Sequence, residues 1–230
     1  MILALETSDI WLSVALWDEN NQKTLLEQNL GLPAQHAALL ASVVKASQAF
    51  IRQTLQETVS FEQAITAVAV AIGPGSFTGL RIGLSFAQGF CFARNVPIVG
   101  ISNHQVLAMQ MKPCDQKMFT IIDARREEVY LAQIDFDRDN FPLIENHSIV
   151  LKEKLPEVIP AGSLVIKPEF HDLDDEVIRN LRVKGVQLHG KGLYQARLVG
   201  MLGFNKMRKF GADNLSELEP MYIRPFAGVL

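Results

Sequence analysis

A glycine-rich stretch, AIGPGSFTGLRIG at residues 71–83, follows an apolar run and precedes a predicted helix. Glycines in this position are typical of phosphate-binding loops, because bare backbone N–H groups at a helix N-terminus attract anions. A Walker A loop is excluded, since Thr78 stands where its second glycine is required and no lysine follows. A dinucleotide-binding fingerprint is matched only loosely, because its third glycine is displaced to Gly79 and residues 94–104 lack the acid that binds ribose. The motif alone leaves open a loop that binds phosphate and a strand-to-helix turn that binds no ligand.

Composition narrows the class of protein. The chain has 230 residues, 48% of them hydrophobic, which is enough for one large domain or two smaller lobes. Its net charge of −3 excludes an overall basic field, so any contact with RNA is expected to be shared with a partner protein. Cys91 and Cys114 have no metal-ligand spacing, and the first residues lead into Glu6 without the pattern of a signal peptide. No apolar run is long enough to span a membrane. We expect a soluble, reduced, cytoplasmic protein.

Apolar periodicity predicts an alternation of strands and helices. The predicted elements are a hairpin at 2–5 and 11–17, a helix at 33–56, a buried strand at 65–72, a helix at 79–94, a short strand at 97–99, a short helix at 103–111 and a strand pair at 119–123 and 129–136. After residue 136 we predict fewer elements, namely strands at 163–166 and 186–189 and a helix at 193–206. The second half of the chain is therefore expected to be the smaller lobe.

Two stretches of the sequence share one pattern, residues 2–18 (ILALETSDIWLSVALWD) and residues 120–137 (TIIDARREEVYLAQIDFD). Each has a buried strand that ends in a carboxylate, Glu6 or Asp123, followed by a polar turn and a second strand. An internal duplication is the simplest explanation. The alternative is that each acid only caps its own hairpin.

This duplicated pattern resembles the actin-like ATPase (ASKHA) superfamily, which includes actin and sugar kinases. The resemblance implies an α/β fold of two duplicated lobes, the second reduced. The lobes would be residues 1–102, with two long helices, and residues 103–230, whose C-terminal segment can pack back on the first lobe. In that superfamily the two acidic hairpins hold phosphate and metal across a cleft.

Four motifs together resemble the TsaB (YeaZ) family: ILALETS at the start, GPGSFTGLRIGL at 73–84, IIDARREEVY at 121–130 and EPMYIRP at 219–225. The resemblance implies a non-catalytic scaffold subunit that binds and activates TsaD. Together with TsaD, proteins of this family belong to the machinery that installs N6-threonylcarbamoyl on the adenosine at position 37 of tRNAs reading codons that begin with A. The implied partners are TsaD and the ATPase TsaE, with tRNA bound only through the complex.

The residues themselves offer little for catalysis. TsaD holds a metal with a His-x-x-x-His pair, but here His104 is followed four residues later by Ala108, so no metal site is predicted. We interpret His104 as a surface or capping residue. Ser76 lacks the G-x-S-x-G pattern of a nucleophile elbow. We therefore predict no catalytic residue and no required cofactor. The alternative is an autonomous glycoprotease-like peptidase or small-molecule kinase of the same fold.

A weak or vestigial nucleotide cleft remains as a hypothesis. Its residues would be Glu6, Gly73, Gly75, Ser76 and Asp123, and nucleotide binding would be weak because the second lobe is small.

The glycines of the predicted helix have a second explanation. Gly79, Gly83 and Ala87 are spaced by four residues, which places them in one row on the helix. We expect this row to let another helix approach closely.

The two long helices of the first lobe carry apolar residues over a broad arc, whereas an ordinary surface helix needs one apolar stripe. In the TsaB family the corresponding helices pair with TsaD or with a second TsaB. We expect some of the apolar side chains to be exposed in the monomer and buried by a partner. The predicted partner-binding residues are Leu40, Val44, Ile51, Leu84 and Phe90. The alternative is that both helices are simply buried.

Overall fold

The computed structural model describes residues 1–54, 60–111 and 113–223. The strands are β1 Ile2–Glu6, β2 Leu12–Asp18, β3 Lys23–Leu30, β4 Ala67–Gly73, β5 Ile98–Ser102, β6 Met118–Arg125, β7 Glu128–Phe136, β8 Pro142–Leu151, β9 Leu164–Pro168 and β10 Gln187–Lys191. The helices are α1 His36–Thr54, α2 Phe61–Ala64, α3 Phe77–Arg94, α4 Asn103–Ala108, α5 Leu155–Val158, α6 Asp175–Val183 and α7 Ala196–Phe210, with a 3-10 turn at Lys152–Lys154. The predicted helix end at 55–56 and the last two residues of the motif at 219–225 lie outside the described residues.

The chain divides into two compact units. The first contains Met1–Ser102 and Tyr194–Pro220, and the second contains Asn103–Leu193. The C-terminal helix α7 therefore lies with the first sheet, against strands β1, β2 and β4. In the part of the chain that the structure describes, no helix is both long enough and apolar enough to cross a membrane.

The first unit is built on a five-stranded sheet in the order β3-β2-β1-β4-β5. Strands β1, β2 and β3 form an antiparallel meander, and β4 and β5 continue the sheet parallel to β1. The side chains of β1 alternate between the two faces, as the two-residue period of a strand requires. Leu3 and Leu5 face the cluster that contains α1 and α3, whereas Ala4 lies beside Gly200 of α7. The sheet is thus covered by helices on both faces.

Burial corrects the prediction of an exposed stripe on the two long helices. Four of its five side chains are core residues of the first unit, with exposed fractions of 2% for Leu40, 6% for Val44, 1% for Ile51 and 5% for Leu84. They pack with the leucines and valines of the sheet in one cluster. The expectation that some of the five are exposed in the monomer therefore fails for these four. Only Phe90 is partly exposed, and it stacks on Phe86 at a centroid distance of 6.5 Å.

The second unit repeats the topology of the first. Its sheet has the order β10-β9-β6-β7-β8, with β6, β7 and β8 antiparallel and with β9 and β10 parallel to β6. In reverse this order is β8-β7-β6-β9-β10, which corresponds strand by strand to β3-β2-β1-β4-β5 of the first sheet. The internal duplication predicts this correspondence. The helices are shorter, since α5 has 4 residues and α6 has 9, against 19 in α1 and 18 in α3.

Candidate functional site

The N-terminus of α3 is capped by the chain itself. The backbone N–H of Ser76 donates to the carbonyl oxygen of Ser8 at 2.6 Å, and the Ser76 hydroxyl accepts from the N–H of Gly79 at 3.3 Å. A Cβ on Gly75 would lie only 2.7 Å from the same Ser8 oxygen, so glycine is needed there for the approach of another backbone. The positive φ of the turn belongs to Gly73, at 103°. The glycine turn thus lies directly against the β1–β2 turn, in contact with the backbone of Ser8.

The row of small residues on α3 packs against the same turn. The Thr7 hydroxyl donates to the carbonyl oxygen of Gly79 at 2.7 Å, and a Cβ on Gly79 would overlap the Thr7 carbonyl. A Cβ on Gly83 would overlap the Thr7 hydroxyl. The expectation that a second helix lies against this row is therefore wrong. The row accommodates the backbone that follows β1.

Glu6 is enclosed behind this contact. Its carboxyl group is 1% exposed and accepts hydrogen bonds from the backbone N–H and the hydroxyl of Ser8. Burial, with a smaller contribution from Asp9, raises its pKa to about 8 against the opposing effect of the Ser8 hydrogen bonds. The side chain is therefore largely neutral at pH 7. A buried, protonated acid that binds its own turn is poorly suited to hold a metal ion.

Asp123 is the corresponding acid of the second unit and has a different environment. Its two carboxylate oxygens lie 3.8 Å from Lys152 Nζ and 3.8 Å from Arg125 Nε. Its backbone N–H donates to Nδ1 of His171 at 3.2 Å, and Asp123, Lys152 and His171 line a small cavity with Lys167. The carboxylate is thus balanced by two cations of its own unit. That Glu6 and Asp123 share one cleft stays a prediction.

His104 belongs to the core of the second unit. It is fully buried, with Nδ1 2.8 Å from the hydroxyl of Thr120. Burial, with a smaller contribution from His147, lowers its pKa to about 3, so the imidazole is neutral near pH 7. The interpretation as a surface or capping residue is wrong. Within residues 1–54, 60–111 and 113–223, no three His, Cys, Asp or Glu side chains lie close enough to hold a metal ion.

The exposed side of α3 was not singled out by the sequence pattern. Arg81, Ser85, Gly89 and Phe92 follow one another at spacings of three or four residues and are all exposed, Phe92 to 82%. A Cβ on Gly89 would meet no atom within 4 Å, so nothing in the fold requires a glycine there. The signal that could have found this surface is a glycine beside an aromatic residue on the side of the helix opposite the apolar rows.

The exposed side of α1 lies beside it, since α1 and α3 contact each other. Its exposed residues from 38 to 49 are Lys45 and five small residues, Ala38, Ala41, Ser42, Ala46 and Ala49. We call these six residues, together with Arg81, Ser85, Gly89 and Phe92 of α3, the outer face. It offers mainly short side chains, with one glycine, one exposed aromatic ring and two basic side chains.

Known proteins share this architecture. The family model described as TsaD: tRNA N6-adenosine threonylcarbamoyltransferase matches residues 37–156, about half of the chain. The tRNA threonylcarbamoyladenosine biosynthesis protein TsaB of Escherichia coli (strain K12) is 31% identical over 160 residues, 69% of this chain and 64% of that protein. The chain belongs to this family, among its TsaB (YeaZ) members. The TsaB protein of Bacillus subtilis (strain 168) is 33% identical over 129 residues, 56% of this chain and 52% of that protein. The matches to TsaB thus span 64% and 52% of the lengths of these two relatives.

Solved structures show the same fold as this TsaB-family chain. A Pseudomonas aeruginosa protein described as similar to peptidase YEAZ has a TM-score of 0.77 at 23% identity, covering 97% of this chain and 99% of that one. YeaZ from Pseudomonas aeruginosa has a TM-score of 0.74 at 24% identity, covering 96% and 98%. The predicted α/β fold of two duplicated lobes is confirmed.

Proposed function

We propose that this TsaB-family chain is a non-catalytic scaffold subunit that binds and activates TsaD in the cytoplasm. In this role it supports the transfer of N6-threonylcarbamoyl to adenosine 37 of tRNAs that read codons beginning with A. TsaE is a further partner, and tRNA binds only through the assembled complex. The observation that carries the proposal is the contact at the N-terminus of α3, where the Ser8 carbonyl oxygen accepts the hydrogen bond of the Ser76 N–H.

The contacts around Ser76 and Glu6 favour this role over that of an autonomous peptidase or kinase. The Ser76 hydroxyl accepts the hydrogen bond from the Gly79 N–H that caps α3, which gives this side chain a structural role in the helix. Glu6 is buried and largely neutral, so it adds no exposed negative charge for a magnesium ion. The chain therefore requires no cofactor, and its binding of nucleotide is weak.

The outer face is the surface that we assign to TsaD and to a second copy of the chain. An exposed glycine within a helix costs about 1 kcal/mol relative to alanine, and Gly89 has no intramolecular contact that would offset this cost. A glycine on a small-residue face lets a partner helix approach closely, and Phe92 supplies an aromatic anchor. A stable interface needs about 800 Å² per partner, which two helix faces can provide. Since both partners use the same face, TsaD binding and self-association exclude each other.

The test is a reconstituted modification assay with TsaD and TsaE of the same organism. Unmodified tRNA, ATP and a preformed activated donor, threonylcarbamoyl adenylate, are incubated with these proteins, with and without the chain, and threonylcarbamoyladenosine is measured by mass spectrometry of the digested tRNA. We expect modification only with the chain, and co-elution of the chain with TsaD. Equal modification in its absence would overturn the proposal. So would efficient hydrolysis of ATP or of peptides by the chain alone.

A further inference from the structure

A cavity of about 460 Å³ lies on one face of the sheet in the second unit. Its floor consists of Leu164 at the start of β9 and of Gln187 and His189 in β10. Its wall is the segment that follows α4, with the side chains of Gln110, Met111 and Gln116. Leu164 lies on the same face as Thr120 of β6, which contacts α4 through His104. The cavity is therefore on the side of the sheet that α4 covers in part.

The duplication shows why this face is open. In each unit the helices between the parallel strands cover one face, which leaves the other face to α7 in the first unit and to α4 in the second. Helix α7 has 15 residues and reaches the edge strand β5, which is buried along its whole length. Helix α4 has 6 residues and packs on β6 to β9, and β10 is partly exposed. The polar side chains of β10 thus line an open cavity where the first unit has a packed helix.

The lining of the cavity offers hydrogen-bonding groups without charge. In the part that the structure describes, it contains three amides and an imidazole but no carboxylate, ammonium or guanidinium group. The amides of Gln110 and Gln116 donate to backbone carbonyl oxygens at 3.4 Å and 3.0 Å, which holds them in place. The side chains of Gln187 and His189 make no hydrogen bond to any described residue, so both are available to a ligand. An amide pairs with the edge of a base and an imidazole stacks on its ring, so these groups suit a nucleobase.

Two lysines flank the cavity. Lys191 follows His189 by two residues in β10, so it lies on the same face about 7 Å farther along the strand. Lys117 follows the wall segment and is exposed. The acids Asp115 and Glu169 are close in the fold, so a phosphate gains from direct contact with an ammonium group and not from a broad positive field. A nucleoside triphosphate is held instead by a glycine-rich loop or a metal ion, and among the described residues neither belongs to this cavity. The arrangement suits one nucleotide of an RNA chain.

We propose that this cavity binds one unpaired nucleotide of the tRNA, with the base against Gln187 and His189 and the phosphate at Lys191. The inference rests on the proposed function, because the RNA is the tRNA that TsaD modifies. One stacked base raises affinity by only about tenfold, and the net charge of −3 adds no general attraction. The isolated chain therefore holds tRNA weakly, and the site acts in the assembled complex.

The first experiment removes the groups that bind the base. The double variant Gln187→Ala/His189→Ala is compared with Asn146→Ala/His147→Ala, which removes an exposed amide and an exposed imidazole from β8, the opposite edge strand of the same sheet. The complex of each chain with TsaD and TsaE is titrated into fluorescently labelled, unmodified tRNA. We expect the cavity variant to raise the Kd for tRNA about tenfold and to bind TsaD normally, and the β8 variant to match wild type. Unchanged or equally weakened tRNA binding in both variants overturns the inference, as does a loss of TsaD binding in the cavity variant.

The second experiment tests the phosphate contact. Lys191→Gln removes one cation, so the slope of log K against log salt concentration for tRNA binding to the complex should fall by about one unit. Lys23→Gln, at an exposed lysine of β3, is the control and should leave the slope unchanged. The same slope in Lys191→Gln and wild type contradicts the contact. Micromolar binding of ATP to the isolated chain, lost in Gln187→Ala/His189→Ala, would assign the cavity to a free nucleotide and would also overturn the inference.

The wild-type chain separates this inference from the proposed function. If it neither binds TsaD nor supports modification, both fail. If it does both and the cavity variant binds tRNA like wild type, only the tRNA site fails.

Discussion

The hydroxyl of Thr7 donates a hydrogen bond of 2.7 Å to the carbonyl oxygen of Gly79, which joins the turn after β1 to the first turn of α3. The two residues are 72 positions apart in the chain. The glycines at this junction let one backbone lie directly on another, and the Ser8 carbonyl receives the N–H group that would otherwise attract an anion. A strand-to-helix turn that resembles a phosphate-binding loop thus serves here as an intramolecular contact.

Two glycines of α3 should respond in opposite directions to the same substitution. Gly79→Ala forces a methyl group into the Thr7 carbonyl and should lower the free energy of unfolding by about 1 to 3 kcal/mol. Gly89→Ala places the methyl group in open space and should raise it by about 0.5 to 1 kcal/mol. Urea denaturation of the two variants and wild type gives the comparison. If Gly79→Ala is as stable as Gly89→Ala, the backbone contact with Thr7 is not as tight as described.

The buried Glu6 should make stability fall as pH rises. Its pKa is about 8 in the folded chain and 4.5 as the ordinary value, so between these values the folded state retains a proton that the unfolded state releases. Folding therefore loses stability across pH 4.5 to 8, by roughly 5 kcal/mol in total, and no further above pH 8. Glu6→Gln removes this titration and should be the more stable protein at pH 8. The free energy of unfolding of both proteins is measured by denaturation from pH 5 to 8. If it depends on pH in the same way in both, Glu6 is not neutral in the folded chain.

His104 should keep one protonation state across the same range. With its pKa lowered to about 3, the ring stays neutral in the folded chain, whereas the unfolded chain binds a proton below pH 6.5. The contribution of His104 to the stability of the fold is therefore lost as pH falls below 6.5, whereas that of Glu6 is lost as pH rises. The ring resonances, assigned as those missing from His104→Gln, should not shift between pH 5 and 8. A titration midpoint near pH 6.5 would show that the ring is accessible to solvent.

Local patterns predicted the central strands and the long helices. The apolar run at 65–72 is β4 at Ala67–Gly73, and the predicted helix at 79–94 is α3 at Phe77–Arg94. Strands β3 and β8 were not predicted. Each lies at the edge of a sheet, is partly exposed and carries polar residues, so neither shows a continuous apolar run.

The site was harder to predict than the fold, because its contacts join distant parts of the chain. The glycine row was recognised as a surface for close approach, but its neighbour is Thr7 and not a second helix. The apolar rows of α1 and α3 were recognised, but periodicity does not reveal that a helix can bury one row against a sheet and another against a neighbouring helix. Four predicted contact residues are therefore core residues.

The position of Val44 in this core changes the effect expected of a charge there. Val44→Glu places a carboxylate at a site with 6% exposure, packed with the leucines of the sheet, and should destabilise the chain by more than about 3 kcal/mol. Ala46→Glu, two residues away on the exposed side of α1, should change stability by less than about 0.5 kcal/mol. Circular dichroism during thermal unfolding distinguishes them. A stable Val44→Glu protein would mean that α1 does not pack as described.

Phe92 is the residue of the outer face whose loss should affect partners and leave the fold intact. Phe92→Glu replaces a side chain that is 82% exposed, so the free energy of unfolding should change by less than about 0.5 kcal/mol. At a helix interface the new carboxylate would lose its water without gaining a counter-charge, at a cost of several kcal/mol, which is enough to dissociate a micromolar complex. We expect loss of self-association in sedimentation velocity, loss of TsaD binding and loss of tRNA modification.

The matched control is Val183→Glu, which introduces the same charge at an apolar residue that is also 82% exposed, on α6 of the second unit. It should associate, bind TsaD and support modification like wild type. Equal losses of association and TsaD binding in both variants would indicate a general effect of added negative charge and would give no evidence for an interface at Phe92. Normal TsaD binding by a folded Phe92→Glu protein would rule out the outer face as the surface that binds TsaD. A loss of TsaD binding in Val183→Glu alone would place that surface on the second unit.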